Sequence, residues 1–417
     1  MSGPRTRRRL LVAAGTLLAG CGRSAREETP TGRPATATRT RTRTTATTSH
    51  RTTQSTATSN PTVVSGPAAC SGTPATPEWK AWPTARYDAG NAGVAPTANA
   101  PNSIPVVRRW TAGGTPTGPV VSDGTRCYVS TTSAVRALSP TDGRAQWTVR
   151  IESAGVGVAV ADGIVVAPTA GGAVLALDPE SGERRWQAAL DSTPTTPPRL
   201  TSDAVVVGTE SGMVVLARDG GTRCLTVATS GPVTDLALGG RRAYAAVSSD
   251  PVGSVVSANL AAERVAFDRF LTAPPRALAV VDGRLYALTE SKLAVSDAET
   301  GEFDWRRAGG GSSLVVGDPI VVASESTLAA VAPDGDAAWR EWYDDGEITG
   351  VARAGEFLFV TFADAPRALA VVDAATGRTR VEHQSAAAFA RPTVAQDHVL
   401  VTTPDDARAF EELAGSR

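Results

Sequence analysis

The sequence predicts an all-β chain, an eight-bladed β-propeller of four-stranded antiparallel blades closed by an N-terminal strand that completes the last blade. Three observations predict it. One segment type recurs with a period near 40 residues, and each copy reads as four short strands. The final copy lacks its fourth strand, while a spare strand stands ahead of the first copy.

The clearest copy is AVADGIVVAPTAGGAVLALDPESGERRWQAAL at residues 159–190. Its relatives place the turn after their first strand near Asp123, Asp162, Asp203, Gly239, Asp282, Gly317, Ala354 and Asp397. Seven intervals divide the 274 residues from Asp123 to Asp397, about 39 residues each. Within a copy, a run such as VVSDG breaks at Asp-Gly, a dipeptide suited to the left-handed positions of a two-residue hairpin. Alternating Val, Leu and Tyr follow, then a Ser/Gly turn, then LALD, a second Asp…Gly turn and a strand carrying tryptophan. Helical periodicity is weak throughout. The eighth copy ends at ARAFEEL, and IPVVRRWTAGG at residues 104–114 is the spare strand expected to supply its missing edge.

The turn LDPESGERRW is expected to be structural. Asp178 accepts backbone N–H groups, Gly182 takes the left-handed position and Trp186 packs against a neighbouring blade; Asp297, Gly301 and Trp305 repeat the set. Trp110, Trp147 and Trp339 hold the same place in other copies, with Leu225, Phe267 and Val381 in copies three, four and seven. This AxDxxTGxxxW pattern resembles the tryptophan-docking turn of PQQ-type propeller repeats, the family of quinoprotein dehydrogenases. WPTARYDAGNAGVAP at residues 82–96 resembles the lead-in of such propellers in exported prokaryotic proteins. The resemblance covers residues 79–413 and implies a fold; the turn is shared by enzymes and non-enzymes alike.

The N-terminus reads as an address. Thr6-Arg7-Arg8-Arg9-Leu10-Leu11 resembles the twin-arginine export motif, and the apolar run from Leu10 to Gly20 is too short for a bilayer core of about 30 Å. Leu18-Ala19-Gly20-Cys21 resembles a lipobox, which implies cleavage before Cys21 and a lipid on its sulfur. Residues 1–21 are therefore expected to be a signal peptide. Residues 22–77 are expected to be a disordered Thr/Ser/Pro-rich stalk, and residues 78–417 the propeller.

Of the remaining cysteines, Cys70, Cys127 and Cys224, spacing selects no disulfide pair; buried thiols are expected at Cys127 and Cys224, which sit in strand-like runs. Residues 1–60 carry 11 Arg against two Glu, leaving 30 basic and 40 acidic groups in residues 61–417. That acidic balance argues against nucleic acid as a partner.

Quinoprotein resemblance implies a cofactor on the propeller axis, with a disulfide of adjacent cysteines and a calcium held by Glu, Asn and Asp. None of these can be placed on this sequence: no Cys-Cys pair occurs, and Asn259 is the one Asn within the repeats. With His50, His383 and His398 as the only histidines, a three-histidine metal site is excluded. No cofactor, catalytic residue or metal ligand is assigned. Asp123, Asp162, Asp203, Asp282 and Asp397 fall in the first hairpins and would line one rim, where hairpin formation accounts for them and cation binding is the alternative.

Three functions remain, in order of preference. The first is a non-catalytic, lipid-anchored, monomeric scaffold for envelope proteins on the outer face of the cytoplasmic membrane; it resembles the propeller lipoprotein of the bacterial outer-membrane assembly machine. The second is a binding or sensing domain for an extracellular ligand, and the third a PQQ-dependent dehydrogenase.

Overall fold

The computed structural model describes residues 60–70, 72, 81–95, 106–153, 155–344, 346–364 and 366–412. The expected signal peptide, residues 1–21 with Cys21, and residues 22–59 lie outside them. The described chain is all β, with eight antiparallel blades of four strands. Blade one comprises Val121–Ser122, Cys127–Thr131, Ala134–Leu138 and Ala145–Arg150, from the axis outward. Blades two to seven repeat the order without interruption. Blade eight takes Thr393–Ala395, His398–Thr402 and Asp406–Glu412 from the C-terminal end and Val106–Gly113 from the N-terminal end. The spare strand closes the ring.

Burial follows position in the blade. The second and third strands are almost wholly buried, whereas an outer strand such as Arg184–Ala189 alternates exposed and half-buried residues. The apolar interior therefore lies between blades. Val121, Tyr128 and Val135 of blade one pack with Val160, Val165 and Leu177 of blade two, and similar clusters join each later pair. At the closure one cluster runs through blades seven, eight and one, uniting Phe359, Phe389, Phe410 and Val129. Sheet-on-sheet burial of this kind supplies the main driving force.

The antiparallel order sorts the connections onto two faces. The first hairpins and the Asp…Gly turns share one face, called here the turn face. The middle hairpins and the crossings between blades share the other, the crossing face.

Two expectations are corrected. Thr62–Ser65, expected to lie in a disordered stalk, instead pairs antiparallel with the outer strand of blade three, Thr62 opposite Ala228 and Ser65 opposite Leu225. Its TVVS run satisfies the open N–H and C=O groups of that edge. Cys224 is not a thiol, because it forms a disulfide with Cys70 across a sequence separation of 154 residues. Cys127 is free and buried, and burial pushes its thiol up to about 12. The arm and the disulfide hold each other in place: pairing brings Cys70 beside blade three, and the bond then fixes the pairing.

Replacing Cys70 and Cys224 together by serine is expected to lower stability by up to about 4 kcal/mol through unfolded-state entropy. Hydrogen exchange over residues 60–70 is expected to accelerate far more than in the blades. Uniform acceleration across the molecule would contradict the arm as a separate clasp.

Candidate functional site

The repeated turns form one site type. The residues expected to dock stand at one register position in every blade: Trp147 faces Ala137, Trp186 Ala176, Leu225 Val215, Phe267 Ser257, Trp305 Val295, Trp339 Ala330, Val381 Val371 and Trp110 Ala409. A bulge in the register adjoins each position, which turns the indole toward the next blade.

The indole meets a glycine there. A Cβ added to Gly182 (φ +75°) would sit 2.8 Å from Trp147, one on Gly143 2.6 Å from Trp110, one on Gly221 2.5 Å from Trp186 and one on Gly377 2.5 Å from Trp339. Gly301 faces Phe267 and Gly335 faces Trp305 in the same way. So Gly182 serves the tryptophan of the preceding copy rather than Trp186 of its own. The exception supports the cause: where blade three carries Leu225, blade four places Glu263 at the left-handed position (φ +47°) instead of glycine. With no indole to admit, a side chain fits.

Hydrogen bonds complete the joint. Trp110, Trp147, Trp186 and Trp339 donate Nε1–H to Pro140 O (2.7 Å), Pro179 O (2.9 Å), Arg218 O (2.7 Å) and Ala374 O (3.0 Å) of the next turn. Trp305 Nε1 is buried without a partner, because the facing turn of blade six is one residue shorter, with Ala332 N bonded to Asp336 O where Asp178 N bonds Glu183 O.

Asp178 Oδ1 accepts Glu180 N, Ser181 N and the Ser181 hydroxyl, while Arg185 donates to Oδ2 at 2.6 Å. That donor set holds its carboxyl well below the usual carboxylate range, Arg185 contributing most. Asp297 is lowered by Thr300, through its backbone N–H and then its hydroxyl. Arg380 and then Thr376 hold Asp373 at about 2.

The acidic rim resolves into separate turns. Asp162 (φ +41°) and Asp282 (φ +49°) occupy the first left-handed position, Asp397 (φ +64°) the second, and Asp123 caps a longer loop through Thr125 N and Arg126 N. Arg218 pairs with Asp162 at 2.9 Å, and Thr201 donates its hydroxyl to Asp203. Among the described residues no three His, Cys, Asp or Glu gather closely enough to hold a metal ion.

A second constellation, not anticipated from sequence, lies on the axis. Residues 81–95 cross the turn-face mouth of the ring and bond the ends of successive inner strands. Trp82 exchanges two backbone bonds with Ser122 of blade one, and Pro83 O accepts from Val160 N of blade two. Ala89, Gly90, Ala92 and Gly93 carbonyls accept from Leu238, Val280, Val316 and Arg353 of blades four to seven. Val94–Ala95 then runs parallel to Ile348–Ala354. Left-handed Tyr87 (φ +72°), Asn91 (φ +63°) and Gly93 (φ +69°) bend the chain along this path.

From this segment Arg86 and Asn91 reach into the channel. Arg86 donates to Asp235 Oδ2 (3.2 Å) and Leu278 O (2.9 Å), and Asn91 to Leu236 O (2.6 Å) and Leu278 O (3.1 Å). Arg199 donates to Asn91 Oδ1 (2.9 Å) and pairs with Asp235 at 3.5 Å. A bulge in its strand aims Asp235 at the axis, where it also accepts Leu236 N and Leu278 N. Burial lowers the Arg86 guanidinium to about 10, with Asp235 opposing, so it stays charged at neutral pH. The signal in the sequence was ARYDAGN, charged residues at fixed places in a short lead-in; nothing local says that they are buried.

These axial residues do not fit the calcium and quinone of the quinoprotein resemblance. Asn91 and Asp235 are consumed by arginines and backbone, Asp88 Oδ1 is taken by Ala92 N, and the disulfide lies at the outer edge of blade three instead of joining adjacent cysteines.

Three outcomes test this picture by urea unfolding. Asp235→Asn is expected to cost about 3–5 kcal/mol, because two buried arginines lose their counter-charge. Trp147→Phe is expected to cost about 1 kcal/mol more than Trp305→Phe, since only the former strands a carbonyl; equal costs would contradict the indole bond. A depressed carboxyl stabilises the fold above its unfolded value of about 4 and loses that contribution as pH falls through its folded value. The penalty of Asp373→Asn at neutral pH is therefore expected to shrink between about pH 4 and about pH 2.

Comparison with known proteins agrees with this architecture. No curated protein sequence matches. BamB from Moraxella catarrhalis superposes with TM-score 0.63 at 18% identity, over 75% of this chain and 100% of that one. Quinohemoprotein alcohol dehydrogenase from Comamonas testosteroni gives 0.66 at 14% identity, over 81% and 82%. A europium-containing methanol dehydrogenase gives 0.66 at 11% identity, over 80% and 98%. These likenesses establish the propeller fold. The family model described as outer membrane protein assembly factor BamB matches residues 107–269 and 324–417. The chain belongs to that family.

Proposed function

We propose that this protein is a non-catalytic protein-interaction scaffold at the cell envelope, tethered through a lipid on Cys21 to the outer face of the cytoplasmic membrane. Membership of the BamB family supports the interaction role, and the lipobox resemblance supports the tether. The observation that carries the reading is what remains on the surface once the joints are complete. The docking tryptophans and the charges of Arg86, Arg199 and Asp235 are spent inside the ring, whereas Phe270 and Trp342 stand 59% and 60% exposed. They stand next to last and last in the outer strands of blades four and six, on either side of blade five. Arg340 lies 5.5 Å from the Trp342 ring. Large exposed aromatics beside arginine have the composition of an interaction hot spot.

Affinity purification from solubilised membranes tests this. The wild-type chain is expected to retain a specific envelope protein, and Phe270→Ala with Trp342→Ala to lose it while melting normally. Reconstitution with PQQ and calcium is expected to give no quinone absorbance and no dye reduction; turnover there would replace the scaffold with a dehydrogenase.

A further inference from the structure

The axial charges do not balance. The charges of Arg86, Arg199 and Arg391 repel one another along the axis, and the charge of Asp235 acts on all three while its oxygens contact only Arg86 and Arg199. Asp88 acts on Arg86 and Arg199 but spends Oδ1 on Ala92 N. Arg86 and Arg199 are fully engaged, as described above. Arg391 is not: among the described residues its guanidinium makes no hydrogen bond and no ion pair within 4 Å, and it is only partly buried.

Its position explains why Asp235 does not neutralise it. Asp235 and Arg391 stand at equivalent steps of the inner strands of blades four and eight, on opposite sides of the axis. Asp235 is held toward Arg86 and Arg199 by the bonds from Leu236 N and Leu278 N. On the near side, blade seven offers Gly350; a Cβ there would meet Arg391 Cα, Cβ and Cγ at 2.6–2.9 Å. That glycine seats the arginine stem without offering its head a partner.

Arg391 instead borders a pocket of about 420 Å³ between the crossings into blades one and eight, walled by Pro116, Gly118, Pro119, Thr349 and Pro404. No carboxylate lines this pocket. We propose that the crossing-face mouth of the channel at Arg391 binds a small oxyanion, a carboxylate or phosphate group of a solute. The guanidinium presents a planar fork to two oxygens of such a group. Low-dielectric walls and the two arginines behind it raise the local potential for an anion. The site lies on the face opposite the segment that closes the turn-face mouth, so entry requires no movement of Arg86 or Asn91.

Isothermal titration of the full chain with inorganic phosphate, and separately with acetate, tests this at fixed ionic strength set by chloride. Saturable binding of at least one anion is expected. Arg391→Gln is expected to weaken it about tenfold or more, while Arg276→Gln, which removes an exposed arginine paired with Glu290, leaves it unchanged. The absence of saturable heat with both anions, or equal affinity in Arg391→Gln, overturns the proposal. Should Arg391→Gln fail to fold, Arg391→Lys keeps the charge and loses the fork. It is expected to bind several-fold more weakly, and an unchanged affinity overturns the assignment.

Discussion

An indole lying on a left-handed glycine is the contact that the ring depends on. Each blade is a small sheet whose faces are apolar, and two such faces could slide or tilt against one another with little change in buried area. The tryptophan removes that freedom. It projects from the outer strand at one register position, fits over a residue with no side chain and donates to the carbonyl three residues earlier in the same turn, as Trp147 does over Gly182 and Pro179. Hydrophobic burial gives the joint its strength, and the directional bond gives it an angle. Repeating one angle around an axis is what makes the first and last blades meet.

Not every joint needs the device. Blade three presents Leu225, and the facing turn carries Glu263. That same blade has the arm Thr62–Ser65 on its outer edge and the Cys70–Cys224 disulfide beside it. A covalent clasp stands next to the joint with the smallest aromatic content. At the closure no continuous turn exists, because the third and fourth strands of blade eight come from opposite ends of the chain, and Val381 faces that gap. There the aromatic trio Phe389, Phe410 and His383 packs instead, with ring centres 4.8–6.3 Å apart.

Much of this was legible because it is periodic. Eight copies average out local irregularity, so the register of Leu225, Phe267 and Val381 could be assigned without any tryptophan to mark it. What escaped was whatever occurs once. The partner of Gly182 belongs to the preceding copy, a relation visible only when Glu263 is compared with Leu225. Cys70 and Cys224 lie 154 residues apart with a third cysteine available, and no spacing rule joins them. Arg86, Arg199, Asp235 and Arg391 come from three blades and the lead-in; their convergence depends on which side of an inner strand faces the axis, and at Asp235 on a bulge. Single long-range polar contacts leave no period behind.

The clasp on blade three also decides how the molecule bears mechanical load. Tension applied to the chain ahead of Asn60 first meets Thr62–Ser65, hydrogen-bonded along its length to the outer strand of blade three. If that strand peels away, the force passes through Cys70 into Cys224 and so into the outer strand of blade three. Residues 81–95, which fill the turn-face mouth, and Val106–Gly113, which closes the ring, lie beyond the bond and carry none of it. A ring pulled from this end of the chain is thus not unthreaded, its closure strain-relieved like a cable gripped ahead of its connector.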